Sequence, residues 1–310
     1  MSKNNHDASD HNIYVIILSW NDCNAVIGSI ISLMQSDAAI RVLVVDNASS
    51  DDTVAQVRTR FPGVSLIVNE QNLGFAKGCN IGIESALAHG AKYLFLLNQD
   101  CEVEHSCIGE LLRFANTNPK AGILGAKTYS GRVDAEGRPV VLYAGAWRHH
   151  FPLQQRIPGI GRGDTGEWNS PQRTDYVWGH GMFLRSAMLK EVGALDPDYF
   201  FYFEDLDLCR RAHNAGWELW YVPSAIMWHD VADGARATNS ERWRWRCKVR
   251  GMRRFYRKFY GRWRGALLMV LTICSMALRM TAKRHWQAAS DLLGAWLADL
   301  VSPHSPVRRP

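Results

Sequence analysis

Short apolar runs alternate with helical patterns along the first third of the chain. Residues 13–18, 41–45 and 93–97 are almost wholly apolar, which is typical of strands buried on both faces of a sheet. Helical periodicity follows the first two runs, over residues 24–35 and 53–60. This alternation of strand, loop and helix predicts an α/β domain built on a parallel sheet.

The pattern becomes less regular after the third apolar run. Helices are predicted over residues 106–117 and 187–192, a strand at 122–126, and buried structure again at 178–184. Residues 130–175 are rich in Gly, Pro and Arg and have little periodicity. That region therefore predicts long loops around an open face of the sheet.

Polar side chains follow the predicted strands where the chain leaves the sheet. Ser19 and Asn21 follow the first strand, Asp46 and Asn47 end the second, and Asn98 and Asp100 end the third. Ligands of parallel α/β sheets bind at the carboxyl ends of strands, so these residues are candidates for a binding site. Asp100 is either an oxygen ligand for Mg²⁺ or Mn²⁺ on a substrate phosphate, or a polar turn that closes the strand.

Two glycines begin the next helical pattern. Free N–H groups beside Gly74 and Gly78 would suit an anion such as a diphosphate. Their spacing, however, makes neither GxGxxG nor GxxxxGK[ST], so turn and packing roles are the simpler interpretation.

Three acids crowd into residues 204–207 behind the aromatic run at 199–203. Helical spacing from Leu206 onward places Glu204 and Asp205 in the first turn of a short helix. One interpretation is that both acids cap that helix and meet its dipole. The other is a general base, because partial desolvation beside an aromatic wall raises the proton affinity of a carboxylate.

Two histidines lie in or at the end of apolar runs. His180 is interpreted as a structural or substrate-lining residue, with a catalytic role as the alternative. His229 ends an apolar run, and a histidine in that position usually lies at the edge of the core without a special function. If Asp100 holds a metal ion, His229 is the best imidazole candidate for a further ligand.

Positive charge is concentrated near the C-terminus. Residues 236–264 hold twelve Arg or Lys and one acid, which gives this segment a charge of about +11. The whole chain has a net charge of +6, so the rest of the chain carries about −5. Aromatic residues interleave with the basic ones over 240–264, which predicts a basic amphipathic surface segment for a membrane or a nucleic acid. Residues 265–278 are uncharged but number only fourteen, too few for a confident transmembrane helix. Interfacial contact, a re-entrant segment or a buried helix fits them better.

Composition adds limits to this picture. A chain of 310 residues with 47% hydrophobic content can bury one substantial core. The seven cysteines are scattered without a CxxC pair, which favours reduced thiols and the cytosol. The polar, acidic start predicts no signal peptide. We expect a flexible N-terminus at 1–12, an α/β domain at 13–235, and a helical, basic, membrane-associating segment at 236–310.

Five segments, in this order along residues 13–230, together resemble the family 2 inverting glycosyltransferases of GT-A fold, especially their rhamnosyltransferase-like branch. They are ILSWN at 17–21, VVDNASSD at 44–51, NLGFA at 72–76, LLNQD at 96–100 and FEDLDLCRR at 203–211. The resemblance implies a Rossmann-like mixed sheet flanked by helices, with a C-terminal helical, basic and amphipathic extension.

The resemblance also assigns roles around a nucleotide-sugar donor. Ser19, Asn21 and Asp46 would line the base and ribose. Lys77 and Asn80 would lie near the diphosphate or the base.

Further roles concern the metal ion and the acceptor. Asp100 ends the family's DxD-like element and would hold Mg²⁺ or Mn²⁺, with His229 completing that site. Asn98 stands where aspartate is frequent, so a ribose contact is implied rather than metal binding. Trp178 and Gly179 would border the acceptor.

The acids at the start of the short helix receive separate roles. Asp205 would be the general base, and Glu204 would help to position the acceptor. The resemblance thus favours the catalytic interpretation of Asp205 over the helix cap.

The expected function is transfer of L-rhamnose from dTDP-β-L-rhamnose to a lipid-linked or polysaccharide acceptor in cell-surface glycan biosynthesis. The basic segment would hold the enzyme on anionic phospholipid at the cytoplasmic membrane face. A UDP-sugar donor carrying GlcNAc, Gal or Glc is the alternative within the same fold. A non-enzymatic nucleic-acid-binding protein is the alternative of another class, and it leaves the acids at 204–207 without a role.

Overall fold

The computed structural model describes residues 12–149, 154–229 and 241–301. The strands are β1 Ile13–Ser19, β2 Ile40–Asp46, β3 Ser65–Val68, β4 Tyr93–Asn98, β5 Cys101–Val103, β6 Ala121–Val133, β7 Pro139–Tyr143, β8 Trp147–His149, β9 Gln154–Arg156, β10 Gln172–Arg173, β11 Gly181–Arg185 and β12 Glu218–His229. The helices are α1 Cys23–Met34, α2 Thr53–Arg60, α3 Phe75–Ala88, α4 Cys107–Thr117, α5 Ser186–Val192, α6 Glu204–Asn214, α7 Glu241–Tyr260, α8 Arg262–Ala282 and α9 Trp286–Val301.

One mixed sheet forms the centre of the fold. Its strands follow the order β10-β12-β6-β11-β4-β1-β2-β3, with β5 paired to β12 and β7 to β6. The four strands β4, β1, β2 and β3 are mutually parallel, as their continuous apolar sequence indicates. Strand β11 is antiparallel to both β4 and β6, so the sheet is mixed, as the family resemblance implies.

The strands bury both faces, and alternate residues serve two cores. Ile16 of β1 and Leu96 of β4 belong to one hydrophobic cluster, together with residues of α3 and α6. Val15 and Ile17 of β1 belong to the other, together with residues of α1 and α4. Because side chains alternate along a strand, a continuous apolar run can fill both cores at once.

The region from 130 to 175 is more ordered than its sequence predicts. Strand β6 continues to Val133, and β7, β8, β9 and β10 follow within the same region. The prediction of long loops was wrong at these strands. They have two to five residues each, too few for periodicity to reveal them.

The C-terminal helices pack on the domain and on one another. Helix α7 buries Trp243 and Trp245, and α8 and α9 both contact it. Helix α8 spans 21 residues and, within the described parts of the chain, is the one helix long and apolar enough to cross a bilayer. The predicted boundary at 235/236 and residues 1–11 lie outside the described residues, and the division into segments stays a prediction.

Several basic side chains of α7 pair with acids inside the protein. Lys258 contacts Asp207 at 2.6 Å and Asp196 at 2.7 Å, and Arg254 contacts Asp196 at 2.9 Å. Arg253 lies 3.2 Å from Asp299 of α9. Much of the basic character of residues 240–264 therefore fastens α7 to its neighbours.

Candidate active site

Parallel register brings the ends of three strands to one edge of the sheet. Ser19 pairs with Asp46 across β1 and β2, and Leu18 pairs with Asn98 across β1 and β4. Ser19 Oγ donates to Oδ2 of Asp46 at 2.9 Å, and the Ser49 N–H donates to Oδ1 at 2.9 Å. Asp46 is fully buried, so it shapes the loops at this edge.

Both loops carry a residue with positive φ. Asn21 has φ 47° and Ala48 has φ 64°. Oδ1 of Asn21 accepts a hydrogen bond from the Ser50 N–H at 2.7 Å, which joins the two loops. Non-glycine residues in this region of backbone space are strained, and such strain clusters at ligand-binding loops.

Asn47, one of the residues predicted at the strand ends, lines the cleft and also holds the loop at residues 69–74, which the sequence did not indicate. Its Nδ2 donates to Oδ1 of Asn72 at 3.1 Å and to the Gly74 carbonyl at 3.2 Å. Its Oδ1 accepts from Asn69 Nδ2 and from the Leu73 N–H, both at 3.1 Å. Its position directly after Asp46 indicated its place at this edge of the sheet alone.

A cleft lies at this edge of the sheet. Asn98, predicted to contact the ribose, and Asp100, predicted to bind the metal ion, both line it, and Trp20 and Gln99 line it without having been singled out. The Trp20 N–H donates to Oε1 of Gln99 at 2.6 Å, which joins the ends of β1 and β4. The other lining residues are Leu18, Asn47, Asn72, Gly74, Phe75, Phe200 and Phe201.

Lys77 and Asn80 on α3 do not line this cleft. Lys77 is exposed, and the Asn80 amide donates to the Leu195 carbonyl at 2.7 Å and accepts from the Leu195 N–H at 3.1 Å. Asn80 thus fastens α3 to the chain before residue 200, and its predicted donor contact has no support from this geometry.

The start of α3 is used for close packing. A Cβ at Gly74 would lie 2.6 Å from the Phe200 carbonyl oxygen, and that oxygen accepts the Phe75 N–H at 2.7 Å. The simpler interpretation of Gly74 therefore agrees with the structure.

Asp100 and His229 lie side by side, on the turn between β4 and β5 and at the end of β12. Oδ1 of Asp100 is 3.2 Å from Nε2 of His229, and Cys101 completes a cluster whose ligand atoms lie within 4.8 Å of one another. Neighbouring ligands of an octahedral ion with bonds of about 2.1 Å lie about 3 Å apart, so the carboxylate and the imidazole fit one divalent cation. The thiol of Cys101 donates to the His180 carbonyl at 3.5 Å, and Mg²⁺ and Mn²⁺ prefer oxygen ligands to sulfur, so Asp100 and His229 are the better candidates for ligands.

The two acids begin α6 after an unusual turn. Tyr202 and Phe203 have φ of 71° and 78°. Gly251 of α7 crosses directly over them, because a Cβ there would lie 2.7 Å from Cδ2 of Phe203 and 2.8 Å from the Tyr202 carbonyl. This packing holds the strained turn that aims Glu204 and Asp205.

Asp205 is held by three hydrogen bonds. Oδ2 accepts from the Tyr176 hydroxyl at 2.6 Å and from the Gly179 N–H at 2.9 Å, and Oδ1 accepts from the Leu206 N–H at 2.7 Å. Burial raises the pKa of Asp205 above its ordinary value, although these hydrogen bonds oppose the rise. A carboxylate tuned upward in this way is suited to accept a proton from an alcohol. Tyr176 carried no sequence signal, because it follows a region without periodicity.

Glu204 differs from its neighbour in environment. It is buried, and within the described chain its Oε2 has no hydrogen-bond partner. Burial raises the pKa of Glu204 well above its usual range, and the charge of Asp205 adds to that rise. Burial therefore favours the protonated form of Glu204, and its part in positioning the acceptor stays a prediction.

A short series of contacts connects Asp205 to Asp100. The Gly179 N–H bonds to Asp205, and the next residue, His180, stacks on His229 with ring centroids 4.8 Å apart. His229 in turn contacts Asp100. Asp205 and Asp100 are therefore connected through Gly179, His180 and His229, and His180 in the middle of this series is buried.

Trp178 and Gly179 lie at the Asp205 end of this series. Trp178 is half-buried and meets His180 edge to face at 5.6 Å. A Cβ at Gly179 would lie 3.3 Å from Oδ2 of Asp205 and 3.6 Å from Phe75, which lines the cleft. The missing side chain lets the carboxylate and the cleft wall approach each other.

The mixed sheet flanked by helices, with polar residues at its strand ends, is the architecture of the GT-A glycosyltransferase fold. The model of the family described as "Glycosyl transferase family 2" matches residues 14–192, and "Glycosyl transferase family group 2" matches residues 166–298. The chain belongs to glycosyl transferase family 2. It is therefore an enzyme, and the nucleic-acid-binding alternative is set aside.

Two relatives are rhamnosyltransferases by name. The N-acetylglucosaminyl-diphospho-decaprenol L-rhamnosyltransferase of Mycobacterium tuberculosis is 30% identical over 213 residues, 64% of this chain and 69% of the relative. The rhamnosyltransferase WbbL of Escherichia coli is 36% identical over 74 residues, 24% of this chain and 28% of the relative.

Solved structures agree on the fold. A mannosyltransferase from Pyrobaculum calidifontis, solved with GDP-Man and Mn²⁺, gives a TM-score of 0.59 at 12% identity over 95% of this chain and 88% of that one. GalNAc-T7, solved with UDP, GalNAc and Mn²⁺, gives 0.59 at 14% identity over 77% of this chain and 46% of that one.

Proposed function

We propose that this glycosyltransferase moves L-rhamnose from dTDP-rhamnose, with inversion, to a lipid-linked or polysaccharide acceptor in cell-surface glycan biosynthesis. The names of the M. tuberculosis and E. coli relatives support rhamnose as the sugar. The M. tuberculosis name also describes a lipid-diphosphate acceptor that carries N-acetylglucosamine. An acceptor of that class would place the enzyme at the cytoplasmic face of a membrane.

The proposed reaction is a single in-line displacement. The acceptor hydroxyl gives its proton to Asp205 while its oxygen bonds to the anomeric carbon, and the bond from that carbon to the diphosphate oxygen breaks. Mg²⁺ or Mn²⁺ bound by Asp100 and His229 would neutralise the leaving diphosphate. Asn98 lines the cleft and would contact the nucleoside. Ser19, Asn21 and Asp46 were expected there too, but Ser19 and Asp46 are fully buried and Asn21 bonds to Ser50, so these three would act by shaping the loops around the nucleoside.

One observation carries the proposal more than any other. Asp205 is fixed by Tyr176 and Gly179 beside the cleft that Asp100 lines, and burial raises its pKa. Inversion by displacement needs a base and an ion-binding carboxylate on different elements, because acceptor and leaving group lie on opposite faces of the sugar.

Replacing Asp205 with asparagine tests the base. The amide oxygen can still accept from Tyr176 and Gly179, and only the acceptor for the Leu206 N–H is lost, so the start of α6 should keep most of its geometry. We expect kcat to fall by about 10²–10⁴-fold, the usual contribution of a general base. Binding of dTDP with Mn²⁺, measured by calorimetry, should be unchanged.

The matched control is Asp198→Asn, an acid that is 62% exposed in the preceding loop. Its activity should equal that of the unaltered enzyme. Full activity of Asp205→Asn would assign the base to another residue. Donor choice is tested separately by offering dTDP-rhamnose, UDP-GlcNAc, UDP-Gal and UDP-Glc with a lipid-diphosphate acceptor and weighing the products by mass spectrometry.

A further inference from the structure

The outer face of α8 is apolar along its length. Five of its large side chains are between 38% and 79% exposed, and their spacing places them on one face of the helix. Between Arg264 and Arg279 no charged residue interrupts this face. The five are Trp263, Leu267, Val270, Leu271 and Leu278.

Helix α9 buries its charged side chains and exposes apolar ones, the reverse of an ordinary surface helix. Its two acids, Asp291 and Asp299, are 5% and 4% exposed and contact arginines of α7. Its exposed side is apolar instead. The exposed large side chains are Trp286, Leu293, Leu297, Leu300 and Val301.

Such a surface is unusual for a face in contact with water. Single exposed leucines are common, but two helices that contact each other and that each expose an apolar face indicate a binding surface. The orientation of α9 supports the same conclusion, because its two charged side chains are buried while its apolar side chains face outward.

The rim of this surface identifies its partner. Exposed basic residues lie at both ends of the α8 face, Arg262 and Arg264 before it and Lys283 and Arg284 after it. Trp263 and Trp286 lie next to these two basic pairs, as indole rings do at a membrane–water boundary. A second copy of the chain fits poorly, because a two-fold contact through this surface would bring basic rims together.

The inner face of α8 is attached to α7, which limits how the helix can enter a bilayer. Thr272 and Ile273 are buried, and Thr272 hydrogen-bonds the Tyr256 hydroxyl of α7 at 2.6 Å. Gly265 lets α8 start against the backbone of α7, since a Cβ there would lie 2.7 Å from the Tyr256 carbonyl. Helix α8 is thus fastened to the domain on one side, which fits a helix that lies in the membrane surface rather than across it.

We propose that α8 and α9 form a membrane-docking hairpin that inserts its apolar face into the interface of a bilayer containing anionic phospholipid. This proposal rests on the membrane association in the proposed function and makes it more specific. It places the membrane contact on α8 and α9, whereas the sequence led us to expect it at residues 240–264. The chemistry at Asp205 does not depend on it.

Vesicle co-sedimentation of the full chain tests the hairpin. We expect binding to phosphatidylcholine vesicles that contain phosphatidylglycerol, and weaker binding to phosphatidylcholine alone. The triple variant Leu267→Ser, Leu271→Ser, Leu297→Ser should lose at least about tenfold in vesicle affinity. Lys283→Gln with Arg284→Gln should reduce the preference for phosphatidylglycerol.

Two controls keep the outcome clear. Val133→Ser with Ile160→Ser removes apolar side chains that are 66% and 47% exposed elsewhere, and vesicle binding should not change. Calorimetric binding of dTDP with Mn²⁺ reports whether each variant is folded.

Three results would overturn the proposal. One is unchanged vesicle binding of the folded triple serine variant, and another is an equal loss in the control pair. The third is self-association in ultracentrifugation that the serine substitutions abolish, without vesicle binding by the original chain. Activity on a short, water-soluble acceptor reports the sugar transfer separately.

Discussion

Replacing Gly251 with alanine would test whether α7 positions the proposed base. The new Cβ would lie 2.7 Å from Cδ2 of Phe203 and 2.8 Å from the Tyr202 carbonyl oxygen. Favourable contacts of this kind need about 3.5–4.0 Å, so the helix or the turn must move by close to 1 Å. Because φ is already positive at Tyr202 and Phe203, the turn has few other conformations to adopt.

The magnitude follows from two opposing effects. Overpacking costs about 1–3 kcal/mol, and alanine in place of glycine within a helix returns about 1 kcal/mol. We therefore expect a net loss of about 0–2 kcal/mol in the free energy of unfolding. Asp205 lies two residues after Phe203, and a displacement near 1 Å should lower kcat by about 10-fold to 100-fold.

Gly294→Ala on α9 is the matched control, since its Cβ would meet no atom within 4 Å. It should gain about 1 kcal/mol of stability from helix propensity and leave kcat unchanged. Urea unfolding and steady-state kinetics on both variants give the comparison. Equal kcat values for the two variants would refute the claim that α7 supports the turn at Tyr202 and Phe203.

Two further substitutions address the site itself. Tyr176→Phe removes a hydrogen bond that lowers the pKa of Asp205, so that pKa should rise and the acid limb of the kcat/KM profile should move to higher pH. Tyr143→Phe loses bonds to the Tyr176 carbonyl and to Thr174 but none to Asp205, so it should leave the acid limb in place. An acid limb that Tyr176→Phe does not move would show that the limb does not report Asp205. Asp100→Ala should abolish the Mn²⁺ dependence of dTDP binding in calorimetry. If EDTA does not change dTDP binding by the unaltered enzyme, Asp100 and His229 do not bind a metal ion that holds the donor.

The sequence determined the parallel strands and the residues at their ends. Continuous apolar runs of this length predict strands that are buried on both faces. In a parallel sheet, the carboxyl ends of such strands lie at the same edge. Ser19 and Asp46 were placed together on that ground, and Asp100 was placed at the same edge. The position of Asp205 at the start of a helix also followed from local spacing.

Only the tertiary structure decided which groups support those residues. Tyr176 reaches Asp205 across 29 positions, and Gly251 reaches Phe203 from another helix, so no local pattern encodes either contact. Periodicity reveals that α9 has an apolar face, but not which way that face points. Asp299 and the arginines of α7 decide the orientation, because a buried carboxylate needs a cation beside it.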